Sequence, residues 1–229
     1  MELGYWPIRG LGAAPRMMLR YADATHDDVT YDDPTTWFST RKPTLVRANA
    51  LINLPYLIDG DLVITHSNSV LRYLGKKLHI DDFANVGEEF ANAQVLDEVF
   101  DLRNALMQLV YPFHRYSRTR EEFEDNCAIH FASKLPGHMK KLEEMLEMRG
   151  TRFFVRDAAP CSADFHAFEM LDQHEEIAKR RGLASPLLAF PKLRAFHNEF
   201  RGLPALASYF ASVSYTLPMN SPSAGAWIY

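Results

Sequence analysis

Two cysteines in 229 residues, Cys127 and Cys161, are too few for a disulfide framework. They lie far apart and outside any CxxC, which also excludes a cysteine zinc site and a dithiol redox motif. Basic charge is not in excess: 25 Lys and Arg against 29 Asp and Glu give a net charge of −4. With no long basic run, nucleic acid and anionic membrane are poor partners. No apolar stretch reaches the roughly 18 residues needed to span a bilayer, and the chain opens on a strand-like segment with no signal-peptide pattern. Nine histidines are scattered without HExxH or another ligand spacing, so no metal site is expected. The cysteine usage fits a reducing compartment, and a cytoplasmic location is expected.

What is present is enough apolar material for a core, 47% of residues, with 24% charged. Glu2 to Trp6 reads as a short strand, and Pro15 to Ala24 as a helix with an apolar stripe at Met17, Met18, Leu19 and Tyr21. Val29 to Tyr31 is a second strand, and residues from Pro34 to Ala50 read as polar and irregular with one weak helix. Tyr56-Leu57-Ile58 and Leu62-Val63-Ile64 flank Asp59-Gly60-Asp61, a hairpin signal. Ser67 is expected to cap a helix running to about Leu78. From about Gly87 the period is helical: Phe90 to Tyr111, Glu121 to Met148, Ala163 to Arg180, Pro191 to Phe200 and Leu203 to Ser212. The pattern divides into an α/β domain over 1–80 and an all-helical domain over 87–229, with an irregular tail from Tyr215.

The stretch NLPYLIDGDLVITHSNSVLRYL, residues 53–74, carries the functional signal. Pro55 stands directly before a short strand and removes a backbone donor. A cis bond there would turn the Leu54 main chain outward, where an extended peptide could pair with it by strand addition. Beyond the hairpin, Ser67 and the first N–H groups of its helix can take a carboxylate. The stretch therefore reads as a receptor for a short anionic peptide; a turn proline beside an ordinary cap is the alternative.

Together these motifs resemble the cytosolic glutathione transferases. Gly4-Tyr5-Trp6-Pro7-Ile8-Arg9-Gly10-Leu11 is similar to the GYWxIRGL opening of the mu class, and Asn53 to Gly60 matches that class residue for residue. Ile64-Thr65-His66-Ser67-Asn68 resembles ITQSN, with His66 in place of Gln. The likeness continues through Leu102-Arg103, Tyr111, Ser133-Lys134-Leu135-Pro136, Asp164-Phe165 and Ala189-Phe190-Pro191-Lys192-Leu193. It implies a thioredoxin-like N-terminal domain, an all-α C-terminal domain, glutathione as co-substrate, a hydrophobic electrophile as second substrate, and a homodimer.

The resemblance also implies roles. Tyr5 would hold and acidify the glutathione thiol; a strand aromatic packed in the core is the other reading of that position. Glutathione would contact Trp6 and Leu11, the Leu54 main chain, and Asn53 and Pro55, which shape that edge. His66 and Ser67, with Asp101 across a dimer interface, would take the γ-glutamyl end. For the glycyl carboxylate the pattern has a Trp and a Lys four residues on; here Trp37 is followed by Arg41 and Lys42, either of which could serve. The distance from Trp37 to Asn53 departs from the mu pattern, and the segment before Trp37 is too short for a mu loop. The electrophile pocket would be built from Tyr111 and His114 with Tyr5, Trp6, Leu11 and the C-terminal tail. Cys161 stands where the family has a Ser or Thr helix cap, so Ser162 or Asp164 is expected to compensate. The resemblance implies a glutathione transferase that conjugates the thiolate to hydrophobic electrophiles; a glutathione-dependent isomerase or peroxidase, and a non-catalytic structural relative, are the alternatives.

Overall fold

The computed structural model describes residues 1–111 and 119–221. They form two compact units, Met1–Asp82 with Pro204–Met219, and the described residues of Phe83–Leu203 with Asn220 and Ser221. The C-terminal segment Pro204–Met219 thus packs with the first unit, which the helical period alone does not indicate.

The first unit is built on a four-stranded sheet in the order β2-β1-β3-β4, with β1 Glu2–Tyr5, β2 Asp27–Thr30, β3 Tyr56–Asp59 and β4 Leu62–Thr65. β1 runs parallel to β2 and antiparallel to β3, and β3 and β4 form the hairpin. Leu3, Gly4 and Tyr5 are buried in succession, as a central strand covered on both faces requires. Gly60 turns the hairpin at φ 60°, a conformation that costs glycine little. Gly4 answers a different need, because a Cβ there would collide with the Tyr56 ring.

α1 (Ala13–Tyr21) buries Ala13 to Leu19 and carries Pro15 in its first turn, where no intrahelical donor is lost. The segment expected to be irregular with one weak helix holds a π-helical turn, Thr36–Arg41, running into the short α2, Lys42–Leu45. Between residues 32 and 51 only Trp37 and Leu45 are buried, so the polar composition that suggested a loop is that of a lightly anchored surface segment. α3, Ser67–Lys77, follows β4 and packs on α1.

The second unit comprises α4 (Val86–Val110), α5 (Arg120–Ile129), α6 (Leu135–Arg149), α7 (Ser162–Arg180) and α8 (Pro191–Arg201). The helical run expected from Glu121 to Met148 is divided by a π-helical turn, His130–Lys134, just before Pro136, whose missing N–H cannot continue the ladder. Likewise Leu203 to Ser212 breaks into a 3₁₀ turn, Pro204–Leu206, and α9, Ala207–Phe210, followed by α10, Val213–Thr216.

α7 is the axis of this unit, packed on α4 and α8 and buried without interruption from Ser162 to His174. Its aromatic face, Phe165 and Phe168, meets Phe200 of α8 at ring separations of 5.1 and 4.6 Å. Its start is closed by Asp164, which accepts from the N–H groups of Cys161 (2.7 Å) and Phe154 (2.9 Å). Asn92 of α4 accepts from the Ala163 N–H and donates to Ser162 Oγ. Asp164 is thus the compensating residue, and Ser162 serves the α4 contact. Both cysteines are buried, and neither is part of a disulfide.

Candidate functional site

Tyr5 ends β1 and is only 5% exposed. The Leu11 N–H donates to its hydroxyl oxygen at 3.0 Å, fixing the phenol under the turn that follows the strand. Gly10, at φ 38°, makes that turn possible: a Cβ there would stand 2.8 Å from the hydroxyl. The turn is held from two sides. Arg9 and Gly10 N–H groups donate to the carbonyls of Pro218 and Met219 at 2.8 and 2.9 Å, and the Arg9 guanidinium lies 4.6 Å from the Tyr215 ring centre. From beneath, buried Arg16 donates to the carbonyls of Ile8 (2.7 Å) and Trp6 (3.3 Å), pairs with Asp28 at 2.8 Å, and stands 6.0 Å from the Tyr5 ring centre. Arg16 does not stand out in the sequence, and the tail from Tyr215 stands out only as an expected wall of the electrophile pocket. Trp6, just past the strand, and Leu11 are half-buried.

The Leu54–Pro55 bond is cis. Both ladders of β3 begin at Tyr56, so the Leu54 main chain lies beyond them. Thr65 braces the preceding residue: its Oγ1 accepts from the Asn53 N–H at 3.0 Å and donates to the Asn53 carbonyl at 2.8 Å. Leu54's half-buried side chain packs on the cluster of Tyr31, Trp37, Leu45, Ile52 and Tyr56.

At the start of α3 the N-cap position belongs to His66, not to Ser67 as expected. His66 is exposed, takes φ 67°, and makes no side-chain capping bond; Ser67 is the first helical residue and is buried. The chain must reverse sharply between Thr65, the last residue of β4, and the helix, and the residue at the corner takes the positive φ. A helix of 11 residues thereby begins beside a buried hydroxyl without the usual side-chain cap.

Trp37 and Arg41 both meet partners distant in sequence. Trp37 is fully buried, stacked on Tyr56 at 5.8 Å and 13°. Arg41 pairs with Glu2 at 2.6 Å, and the Tyr56 hydroxyl and Glu2 carboxylate hold its guanidinium pKa up. Lys42 is half-buried, 5.9 Å from the ring centre of exposed Phe38.

In the second unit Asp101 is exposed on α4. Tyr111 follows the helix, its hydroxyl accepting from the Ser221 N–H at 3.1 Å. Burial raises its phenol pKa, against the opposing effects of that N–H and of Arg103. His114 and the tail beyond residue 221 lie outside the described residues. Among the described residues no cluster of three or more His, Cys, Asp or Glu could hold a metal, and no helix is long and apolar enough to cross a membrane.

The first unit thus carries a phenol held by a backbone donor, a main-chain edge beyond its ladders, and a helix start without a side-chain cap. Residues 1–76 match the glutathione S-transferase N-terminal domain and residues 100–213 the C-terminal domain. The chain belongs to the glutathione S-transferase family, whose members are transferases with glutathione as co-substrate. Glutathione S-transferase Mu 1 of Mus musculus is 34% identical, over 94% of this chain and 92% of its own. Glutathione S-transferase Mu 7 of Rattus norvegicus is 32% identical, over 93% and 91%. Among solved structures, a Pi-class glutathione S-transferase of Onchocerca volvulus superposes with a TM-score of 0.79 at 26% identity, covering 97% of this chain and 98% of that one.

Proposed function

We propose that this chain conjugates the thiolate of glutathione to hydrophobic electrophiles, with Tyr5 as the residue that stabilises the thiolate. A free thiol has a pKa of about 8.5, so only a few per cent is ionised at neutral pH. A phenol O–H directed at the sulfur favours the charged form, and lowering the pKa by about two units corresponds to roughly 2.7 kcal/mol. Thiolate then becomes the main species, and the chain need supply no nucleophile of its own. The observation that carries this reading is the Leu11 N–H bond to the Tyr5 oxygen. It occupies an acceptor site, holds the phenol in place, and makes its proton a stronger donor.

The other assignments follow. The Leu54 main chain pairs with the cysteinyl residue, with Asn53 and Pro55 shaping the edge. Ser67 and the first N–H groups of α3 take the γ-glutamyl carboxylate beside His66, and Asp101 of a second subunit meets the amino group. Lys42 holds the glycyl carboxylate, since Arg41 is paired with Glu2, while Trp37 on the same segment keeps a buried Nε1 without a hydrogen-bond partner among the described residues. Residues 1–80 form the glutathione-binding domain, and 87–229, with Tyr111 and His114, the domain that takes the electrophile. The working form is a cytoplasmic homodimer.

Retention on immobilised glutathione, together with turnover of a chloronitrobenzene, tests the reading. Tyr5→Phe is expected to cut turnover ten-fold or more while glutathione binding stays nearly intact, an effect of about 1.4 kcal/mol or more on the chemical step. Equal turnover in that variant would remove Tyr5 from the mechanism.

A further inference from the structure

Four side chains from four segments of the first unit meet in one hydrogen-bonded group. Glu2 comes from β1, three residues before Tyr5; Tyr31 follows β2; Arg41 ends the π-helical turn; Tyr56 opens β3 directly after the cis proline. Glu2 Oε1 accepts from the Tyr56 hydroxyl at 2.6 Å and from Arg41 Nη2 at 2.6 Å. Tyr31 and Tyr56 hydroxyls lie 2.7 Å apart, and Arg41 Nε reaches the Tyr56 oxygen at 3.4 Å. The protons have one arrangement. Tyr56 spends its only proton on Glu2, so Tyr31 must donate to Tyr56, while Tyr56 and Arg41 Nη2 both donate to the one carboxylate oxygen. The group is partly desolvated, with Tyr56 fully buried and Tyr31 5% exposed.

Its mechanical position matters. The stretch from 32 to 51 buries only Trp37 and Leu45. Trp37 stacks on the Tyr56 ring, and Arg41, one turn on, binds the far end of the same tyrosine and its carboxylate. Tyr56 thus grips this segment twice, and Lys42 follows Arg41 directly. An exposed Arg–Glu pair would contribute little by itself; here it closes a network around a buried phenol, where a lost partner leaves a polar atom unsatisfied.

We propose that Glu2, Tyr31, Arg41 and Tyr56 form a positioning device that fixes Lys42 against the glycyl end of glutathione and so sets selectivity for the full tripeptide. This rests on the glutathione-binding reading above. Arg41 is then a strut rather than a ligand, which explains why two adjacent cations stand here: one is consumed by the fold and the other is left for the substrate.

The probe is γ-glutamylcysteine, which carries the thiol and the γ-glutamyl end but no glycyl carboxylate. Arg41→Met is expected to raise KM for glutathione about ten-fold with kcat within two-fold, and to leave KM for γ-glutamylcysteine within two-fold of its original value. Lys42→Met should give the same pattern, and Arg41→Lys should recover part of the loss. Should Arg41→Met fold poorly, Glu2→Gln keeps the shape and should show a smaller shift in the same direction. A merely structural role would raise both KM values together or lower kcat, and either result overturns the proposal. So would a wild-type protein that binds glutathione and γ-glutamylcysteine equally well, with the broader reading left standing. A wild-type protein that binds neither overturns both.

Discussion

The two units treat the beginnings of their helices differently. In the second, α7 starts under Asp164 and Asn92, and α8 under Glu143 of α6, whose carboxylate accepts from the Lys192 and Leu193 N–H groups at 2.9 and 2.8 Å. In the first, α3 starts at a histidine that offers no side-chain cap. A buried helix end without partners is costly, so the second unit supplies side chains of its own. An end reserved for a ligand must not be closed in this way. The same residue types therefore serve the fold in one unit and, on our reading, the substrate in the other.

The sharpest way to break this comparison is to open a closed start. Asp164→Ala removes the acceptor for two buried N–H groups at once and should destabilise the protein by about 3–5 kcal/mol, the range for breaking a buried network. Chemical denaturation measures it. A loss below about 1 kcal/mol would show that the carboxylate adds little to what Asn92 supplies.

Acid should act on the second unit as well. Burial lowers the pKa of His130 to about 3, of His166 to about 3 and of His174 to about 4. His174 donates from Nδ1 to the Met170 carbonyl at 2.6 Å, which leaves its Nε2 to accept from His130 Nε2 at 3.1 Å. All three are neutral when folded, whereas the unfolded chain takes up protons below about pH 6.5. Since the unfolded state binds more protons, stability is intact above that pH and falls as pH drops toward 4 and then 3. Each histidine contributes a slope of about 1.4 kcal/mol per pH unit within its window. Neither ring nitrogen of His166 has a hydrogen-bond partner among the described residues, so His166→Leu should flatten the profile and leave stability at pH 7 equal or higher. Denaturation midpoints between pH 7 and 4 check both points; an unchanged slope would place the acid sensitivity elsewhere.

Much of this was legible in the sequence where the code is local. The hairpin, the proline before β3 and the long helical period announce themselves through turn chemistry and spacing. Three features did not. His66 displaces Ser67 from the cap because a sharp reversal after β4 sets the corner, and a Ser-Asn pair looks the same with or without it. Trp37 and Arg41 carry the right residue types at nearly the right spacing, yet long-range partners at positions 2 and 56 decide their places. Residues 218 and 219 brace the turn after Tyr5 through their carbonyls, which any sequence possesses. Contacts made by main chain, or by partners distant in sequence, leave no local pattern to find.

The smallest stability effect belongs to the open start, and it is the sharper half of the comparison. Ser67 is buried, but the structure gives it no capping duty. Ser67→Ala should therefore cost less than about 1 kcal/mol, below the usual loss for a true N-cap. Glutathione binding should weaken about ten-fold in the same variant, as a lost hydrogen bond to a carboxylate implies. Calorimetric titration and thermal unfolding of one preparation give both numbers. A large stability loss with unchanged binding would make Ser67 a structural residue and return the start of α3 to the same class as those of α7 and α8.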